Sequence, residues 1–484
     1  MNLQRMFLIA LCCLLGGCAG APDAAAVATP AETSTATAAT SAPAETASSA
    51  PSPSPAPSPS PSPTVNPWPR FCPFPDEHPG GGGNLRIAFI GGPEGETDEP
   101  KDNAWVWRGL SFPDRITNTD DATWAGLSDD GAFVAYTRET SQYIVNLWVA
   151  RADGGGAKLL VTPVWFAAMN KHPGKQAIPM DLHWVPGTHT LAFHTNLVFP
   201  GPGSPGFFYT PDNLWWVDAE TGKGVSRPVD GEVFYSPDGK SAAVVNQGGL
   251  FLMNADGTGQ RAVDIPDYHT IPFGATYNEP PRIHWASDSR SLLVIAPEAR
   301  SVVDANAPDA MVTLWRVDAS AGTAAYLARY NADYMTFSFS ADHAWAAFRR
   351  PFADTENSAP YEQHILRLDG GYKQIYTSTD TNITLSPDGH RYIGWDHGRA
   401  FLGSVCADRI PLMDTPWSDP VTREDATFVD VLWLDNAQAL IAVGSYNRKF
   451  LYLYDLDRPD AGLWKLMDYR VSAFEALYSR PGGG

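Results

Sequence analysis

From Asn84 onward the chain repeats itself about every fifty residues, and that period constrains the fold more than any other feature. The clearest copy runs from Gly231 to Val263. It reads Val233-Phe234-Tyr235-Ser236-Pro237-Asp238-Gly239-Lys240, then Ser241 to Val245, then Gly249 to Met253, then Asn254-Ala255-Asp256-Gly257-Thr258-Gly259. Pro237 suits the first central position of a tight turn and Asp238-Gly239 the positions after it, with apolar runs on both sides. Each unit therefore predicts four short antiparallel strands. Such a unit cannot bury both its faces alone, so its neighbours must stack against it. With Gly 42 and Pro 42 among 484 residues, an all-α chain is excluded on punctuation alone.

Copies aligned on Ser236 appear at Ser128-Asp129-Asp130-Gly131, Trp184-Val185-Pro186-Gly187, Trp285-Ala286-Ser287-Asp288, Phe339-Ser340-Ala341-Asp342, Ser386-Pro387-Asp388-Gly389 and Trp433-Leu434-Asp435-Asn436. The ends supply an eighth unit. Leu85 to Ile90 and Asn103 to Trp107 read as second and third strands that lack a first, and Val471 to Ser479 reads as a first strand with nothing after it. Joining them leaves no sheet edge unpaired. The expected fold is all-β: a β-propeller of four-stranded antiparallel blades, eight in number, closed by a C-terminal strand that completes the first blade. Seven is the alternative if the short unit around Ser386 is not a full blade.

Ser236-Pro237-Asp238-Gly239-Lys240, Asn254-Ala255-Asp256-Gly257-Thr258-Gly259 and Ser386-Pro387-Asp388-Gly389 resemble the WD40-like repeats of TolB-type propellers, which also occur in the propeller domains of prolyl oligopeptidases and dipeptidyl peptidases. The resemblance covers roughly Asn84 to Arg480. It implies an extracytoplasmic binding and scaffold module. Its peptidase relatives carry an α/β-hydrolase domain for which residues 84–484 leave no room.

Residues 1–17 have the layout of a secretory signal: Arg5, an apolar run from Met6 to Leu15, then Gly16 and Gly17. Leu15-Gly16-Gly17-Cys18 resembles a bacterial lipobox, which makes Cys18 a lipid anchor at a membrane surface of the cell envelope. From Cys18 to Asn66 the chain is Ala, Pro, Ser and Thr with few charges and no aromatic residue, so it cannot build a core and reads as a disordered tether. A lead-in, 67–83, connects it to the repeats. Loss of the signal and lipidation leave Cys72 and Cys406 as candidates for one disulfide.

A formal charge of −20 repels nucleic acid and anionic lipid headgroups. The chain contains no G-x-S-x-G elbow, phosphate loop or HExxH motif, which leaves serine-hydrolase, nucleotide and zincin chemistry unsupported. The turn carboxylates Asp129, Asp238, Asp288, Asp342 and Asp388 are read as turn formers. His183 and His284 each precede a Trp on the first strand of a unit, where first strands line a central channel; they are the candidate channel residues. Glu94, Glu96 and Asp98 sit in an acidic loop with enough carboxylates to hold a hard cation such as Ca²⁺, but their spacing fits no known loop, so no metal or cofactor is expected and Ca²⁺ there is the alternative.

The long connections, 91–102, 163–179, 198–212, 297–310 and 351–362, all join second to third strands or one unit to the next, and so emerge at one end. Trp165, Phe166, Phe199, Phe207, Phe208 and Tyr209 on two of them are the candidate ligand anchors. The sequence thus points to a lipid-anchored propeller that binds a protein, peptide or glycan without catalysis. The alternatives are a lyase, lactonase or glycan hydrolase acting in the channel, and a structural envelope component.

Overall fold

The computed structural model describes residues 84–93, 102–109, 112–141, 144–162, 165, 176–199, 206–208, 214–266, 268–273, 277–298, 311–350, 361–371, 373–378, 383–396, 399–404, 407–412, 428–445, 448–456, 463–467 and 469–479. Strands dominate them, as the repeats predict. Strand pairing gives five four-stranded antiparallel sheets, one five-stranded sheet, a two-stranded hairpin and an eight-stranded sheet in which strands from both ends of the described chain meet through the Lys449–Val471 pair. The two halves of this last sheet are called sheets one and eight, and those between them sheets two to seven along the chain.

Sheet one takes its first strand from the C-terminus, Tyr469–Ser479, and the rest from the N-terminal strands Asn84–Pro93, Asn103–Trp107 and Asp114–Arg115. The pairing between Tyr469–Ser479 and Asn84–Pro93 runs from Leu85–Tyr478 to Pro93–Tyr469. Sheets two to eight begin at Ala122–Leu127, Gln176–Trp184, Glu232–Tyr235, Arg282–Trp285, Ser338–Phe339, Ile383–Leu385 and Phe428–Trp433. In each, the following strands are added in chain order, except that in sheet three Gly206–Phe208 pairs back on the second strand and Leu214–Asp218 continues the sheet. The unit at Ser386 has all four strands, ending with Ala407–Pro411.

Alternation along the strands presents apolar side chains to both neighbours, and the core is a series of seams between successive sheets. Ala88 and Val106 of sheet one pack with Leu127 and Val134 of sheet two, and Leu147 of sheet two packs with Leu182 and Phe193 of sheet three. The pattern continues through Trp216 and Val244, Val245 and Leu292, and Ile295 and Phe348. Between sheets six and seven, Leu385 N–H donates to Ser338 Oγ at 2.9 Å. Ile393 then meets Ile441, and Leu440 of sheet eight meets Ile87 and Phe89 of sheet one. First strands of successive sheets also touch one another, sheet one with two, two with three, six with seven and seven with eight, so the first strand is the inner one.

The tight turn between first and second strands follows one hydrogen-bonding scheme. In sheet four, Ser236 Oγ donates to Asp238 Oδ1 (2.7 Å) and accepts from Ser241 N–H (3.0 Å), while the same carboxylate oxygen accepts from Lys240 N–H (3.1 Å). The Asp side chain thereby replaces backbone partners that the reversing chain lacks. Asp342 and Asp388 repeat the scheme with Ser340 and Ser386. In sheet two the acid with this role is Asp130, one residue beyond the Asp129 that the alignment singled out. Asp129 instead accepts from Gly187 N–H in the next turn at 2.6 Å.

Two strand elements at the opposite end were not foreseen. Gly206–Phe208 pairs back on Leu197–Phe199, and Gln176–Pro179 flanks the other side, so sheet three is extended where sequence suggested only loops. A separate hairpin, Ile271–Phe273 with Tyr277–Glu279, lies on the connection between sheets four and five.

Candidate functional site

The inner strands carry a repeated register position, two residues before the turn Ser, that defines one level of the inner edge. Glu475 pairs with Ala88 there as Gly126 does with Ala135, His183 with Ala192, Phe234 with Ala243, and His284 with Leu293. His183 and His284 therefore share a level. In sheets three, five and eight a Trp one residue later ties the sheet to the one before: Trp184 Nε1 donates to Gly126 O (3.1 Å), Trp285 Nε1 to Phe234 O (2.9 Å) and Trp433 Nε1 to Thr384 O (3.0 Å). The large apolar ring fills the seam while its N–H satisfies a carbonyl in it.

His284 is turned into the seam with sheet six. Its Nδ1 lies 2.9 Å from Nε2 of His343, a residue of the next tight turn, and its ring packs 5.3 Å from Phe339. Burial lowers both imidazoles to about 4, and mutual repulsion adds to the shift on His343. At neutral pH the two rings are uncharged and share one N–H. His183 is also pushed down by burial, against the opposing charge of Asp181.

The carboxylates Asp181, Glu232, Asp430 and Glu475 and the guanidinium of Arg282 are all half-buried on the inner strands. Burial raises Glu475 to about 8, opposed by a hydrogen bond from the Trp124 side chain. Sequence reading missed Glu475, because what marks it out is Gly126 in the following sheet. A Cβ at Gly126 would fall 2.3 Å from Glu475 Oε2 and 2.8 Å from the Trp124 ring. No group of three His, Cys, Asp or Glu side chains able to hold a metal occurs among the described residues.

At the long-connection end, Trp165 folds onto sheet three rather than standing clear. It meets the Trp215 ring edge-on at 5.0 Å and lies against Gly224, and its N–H donates to Thr162 Oγ1. Phe199, Phe207 and Phe208 are held in the paired extension of sheet three. Phe166, Tyr209, Cys18, Cys72, Cys406, Glu94, Glu96 and Asp98 lie outside the described residues. The same end holds a charged cluster that sequence reading also missed. Arg138 forks onto Asp121, with Nε at 2.9 Å from Oδ1 and Nη2 at 2.9 Å from Oδ2, and stacks 5.3 Å over Trp148. Asp102, bridged to Asp121 through the backbone, is raised to about 6 by burial, against the pull of Arg470 at 3.9 Å.

Four-stranded units with a recurring Ser-x-Asp turn, one of them completed by the C-terminal strand, decide the architecture. The fold is a β-propeller. No family model and no curated protein matches the sequence. Among solved structures, TolB from Acinetobacter baumannii is similar with 13% identity and a TM-score of 0.32, over 68% of this chain and 64% of that one. The β-propeller domain of the Trilobed protease from Pyrococcus furiosus aligns at 12% identity and TM-score 0.38, covering 58% and 81%. An oligogalacturonate lyase in complex with manganese aligns at 14% and 0.40, covering 62% and 81%. The chain thus spans just under two thirds of the TolB chain that it matches. The propeller's own geometry carries the functional argument below.

Proposed function

We propose that this propeller has eight blades, is tethered outside the cytoplasm by a lipid on Cys18, and binds a protein, peptide or glycan ligand at its long-connection end without catalysis. One observation carries the reading: the two ends of the sheets are built differently. First-to-second strand connections are tight turns closed by their own side chains, as at Ser236-Asp238 and Ser386-Asp388. The long connections, the extension Gly206–Phe208 and the hairpin 271–279 all belong to the other end. Connections freed from packing are where recognition residues accumulate on a rigid scaffold.

The test is a crosslinking capture from the source cells' envelope, together with a glycan array. Both compare the wild-type protein with Phe207→Ser/Phe208→Ser and with a tight-turn control, Lys240→Glu. Loss of a specific ligand in the first variant only supports the reading; loss in neither, or in both, overturns it. Incorporation of labelled palmitate that vanishes in Cys18→Ala tests the anchor. A second reading, catalysis at the inner edge, draws on the imidazoles and carboxyls placed there, and predicts substrate turnover that His183→Ala abolishes.

A further inference from the structure

We infer that Glu475, Trp124 and Gly126 form a binding site on the inner edge of the propeller for an organic cation, an ammonium or guanidinium group, taken up in exchange for the carboxyl proton. Three features of the site converge on that ligand. The carboxyl is lodged where the neighbouring sheet has given up a side chain, since any Cβ at Gly126 would collide with Oε2 and with the indole. The Trp124 indole stands beside the carboxyl at Gly126, and the Trp184 indole donates to the carbonyl of Gly126 and holds the cradle from the far side. Glu475 nevertheless keeps part of its surface open, as a group does that borders interior space rather than filling it.

A carboxyl so deeply set calls for a cation, because an ionised group out of water is stable only when paired. No described residue of this chain provides one. The basic side chains nearest along the sheet are committed elsewhere: Arg86 donates to Asp130 O and Gly131 O, Arg470 faces Asp102, and Lys449 donates to Ser472 O beside Asp430. Among the charged groups of the flanking inner strands, Asp430 and Asp181 are acidic, and His183 is held neutral by burial. Without a ligand the carboxyl therefore retains its proton to about pH 8. A bound ammonium or guanidinium would supply the missing charge, breaking the O–H bond of Glu475 and releasing that proton to solvent. The surrounding carboxylates favour a cation over a neutral guest.

Calorimetric titration of the full chain with methylguanidinium chloride and with n-butylammonium chloride, at pH 6 and pH 9, tests the site. Binding is expected at both values, with proton release at pH 6 and an affinity higher at pH 9 by about tenfold for each unit that pH 6 lies below the carboxyl's value. Glu475→Gln, which keeps size and an acceptor for Trp124, is expected to weaken binding at least about tenfold and to remove the pH dependence. Infrared difference spectra of the wild type at pH 6 give a second readout needing no variant: the probe should convert a protonated carboxyl band into a carboxylate band. Equal binding by Glu475→Gln, absence of saturable binding, or an unchanged carboxyl band would overturn the assignment. The site is distinct from the long-connection end, so its failure leaves the capture experiment there unaffected.

Discussion

Two histidine contacts join neighbouring sheets at the tight-turn end, and they work in opposite charge states. Between sheets two and three, His189 is held by two carboxylates, Nδ1 at 2.5 Å from Glu220 Oε1 and Nε2 at 2.9 Å from Asp130 Oδ2. Both ring nitrogens must donate to satisfy them, so the contact is complete only as imidazolium, and its hydrogen bonds to Asp130 and then Glu220 raise its pKa. Between sheets five and six, His284 and His343 face each other with no carboxylate between them, and burial keeps both neutral. One residue type thus closes two seams of the same propeller, and its surroundings alone decide whether protonation fastens the seam or opens it.

The largest effect is expected at the turn position that His343 shares with Gly239. Both have positive φ, +58° and +66°. A Cβ at Gly239 would stand 2.0 Å from the backbone oxygen of Pro186 in the neighbouring turn. Gly239→Ala should therefore cost about 3 kcal/mol or more in urea unfolding, through strain and forced separation of sheets three and four. Next comes acid. The folded-state values of His284 and His343, about 4, lie below the ordinary 6.5, so their contribution is whole above 6.5 and is lost as pH falls from there toward 4. A loss of about 3 kcal/mol for the coupled pair should appear as a falling urea midpoint across that window. His343→Gly restores the residue that Gly239 and Gly389 supply elsewhere and removes one of the two buried imidazoles, so it should reduce the slope across the window while His284 keeps its share; an unchanged slope would show that the pair is not its source.

The smallest effect belongs to His189. Its pKa is raised, so its contribution is whole below the ordinary value and disappears as pH rises through the folded one. Because Asp130 and Glu220 are more than half exposed, the loss should stay below about 1 kcal/mol and shrink further in salt. Thermal midpoints of the wild type and of Asp130→Asn/Glu220→Gln, at low and high ionic strength, give the comparison. A pH response that is equally large in the variant would remove the distinction between the two seams.

What was legible in the sequence was local. A turn such as Ser236-Pro237-Asp238-Gly239 forms within six residues, so its pattern survives in the text of the chain and marks each sheet. Sequence reading faltered where a residue's meaning comes from another sheet. Glu475 is unremarkable until Gly126 is seen to make room for it, and His284 has no partner until His343 is brought beside it from the next turn. The aromatic candidates were placed by loop length, a cue that does not say which way a ring turns. Trp165 packs against Trp215, and Phe207 and Phe208 belong to a strand whose pairing with 197–199 no repeat announces.

The first sheet's inner strand is made by the last part of the chain, and this bears on the order in which the molecule is assembled. Ser472 Oγ reaches Ile90 O across 382 positions of sequence. A ribosome releases Asn84–Pro93 long before Tyr469–Ser479 exists, so the earliest strands must wait with an apolar edge uncovered while the later sheets form behind them. Contacts so distant in sequence are slow to close. Shortening the chain at its tail would leave that early edge without a partner, which is the condition under which strands seek one in another molecule.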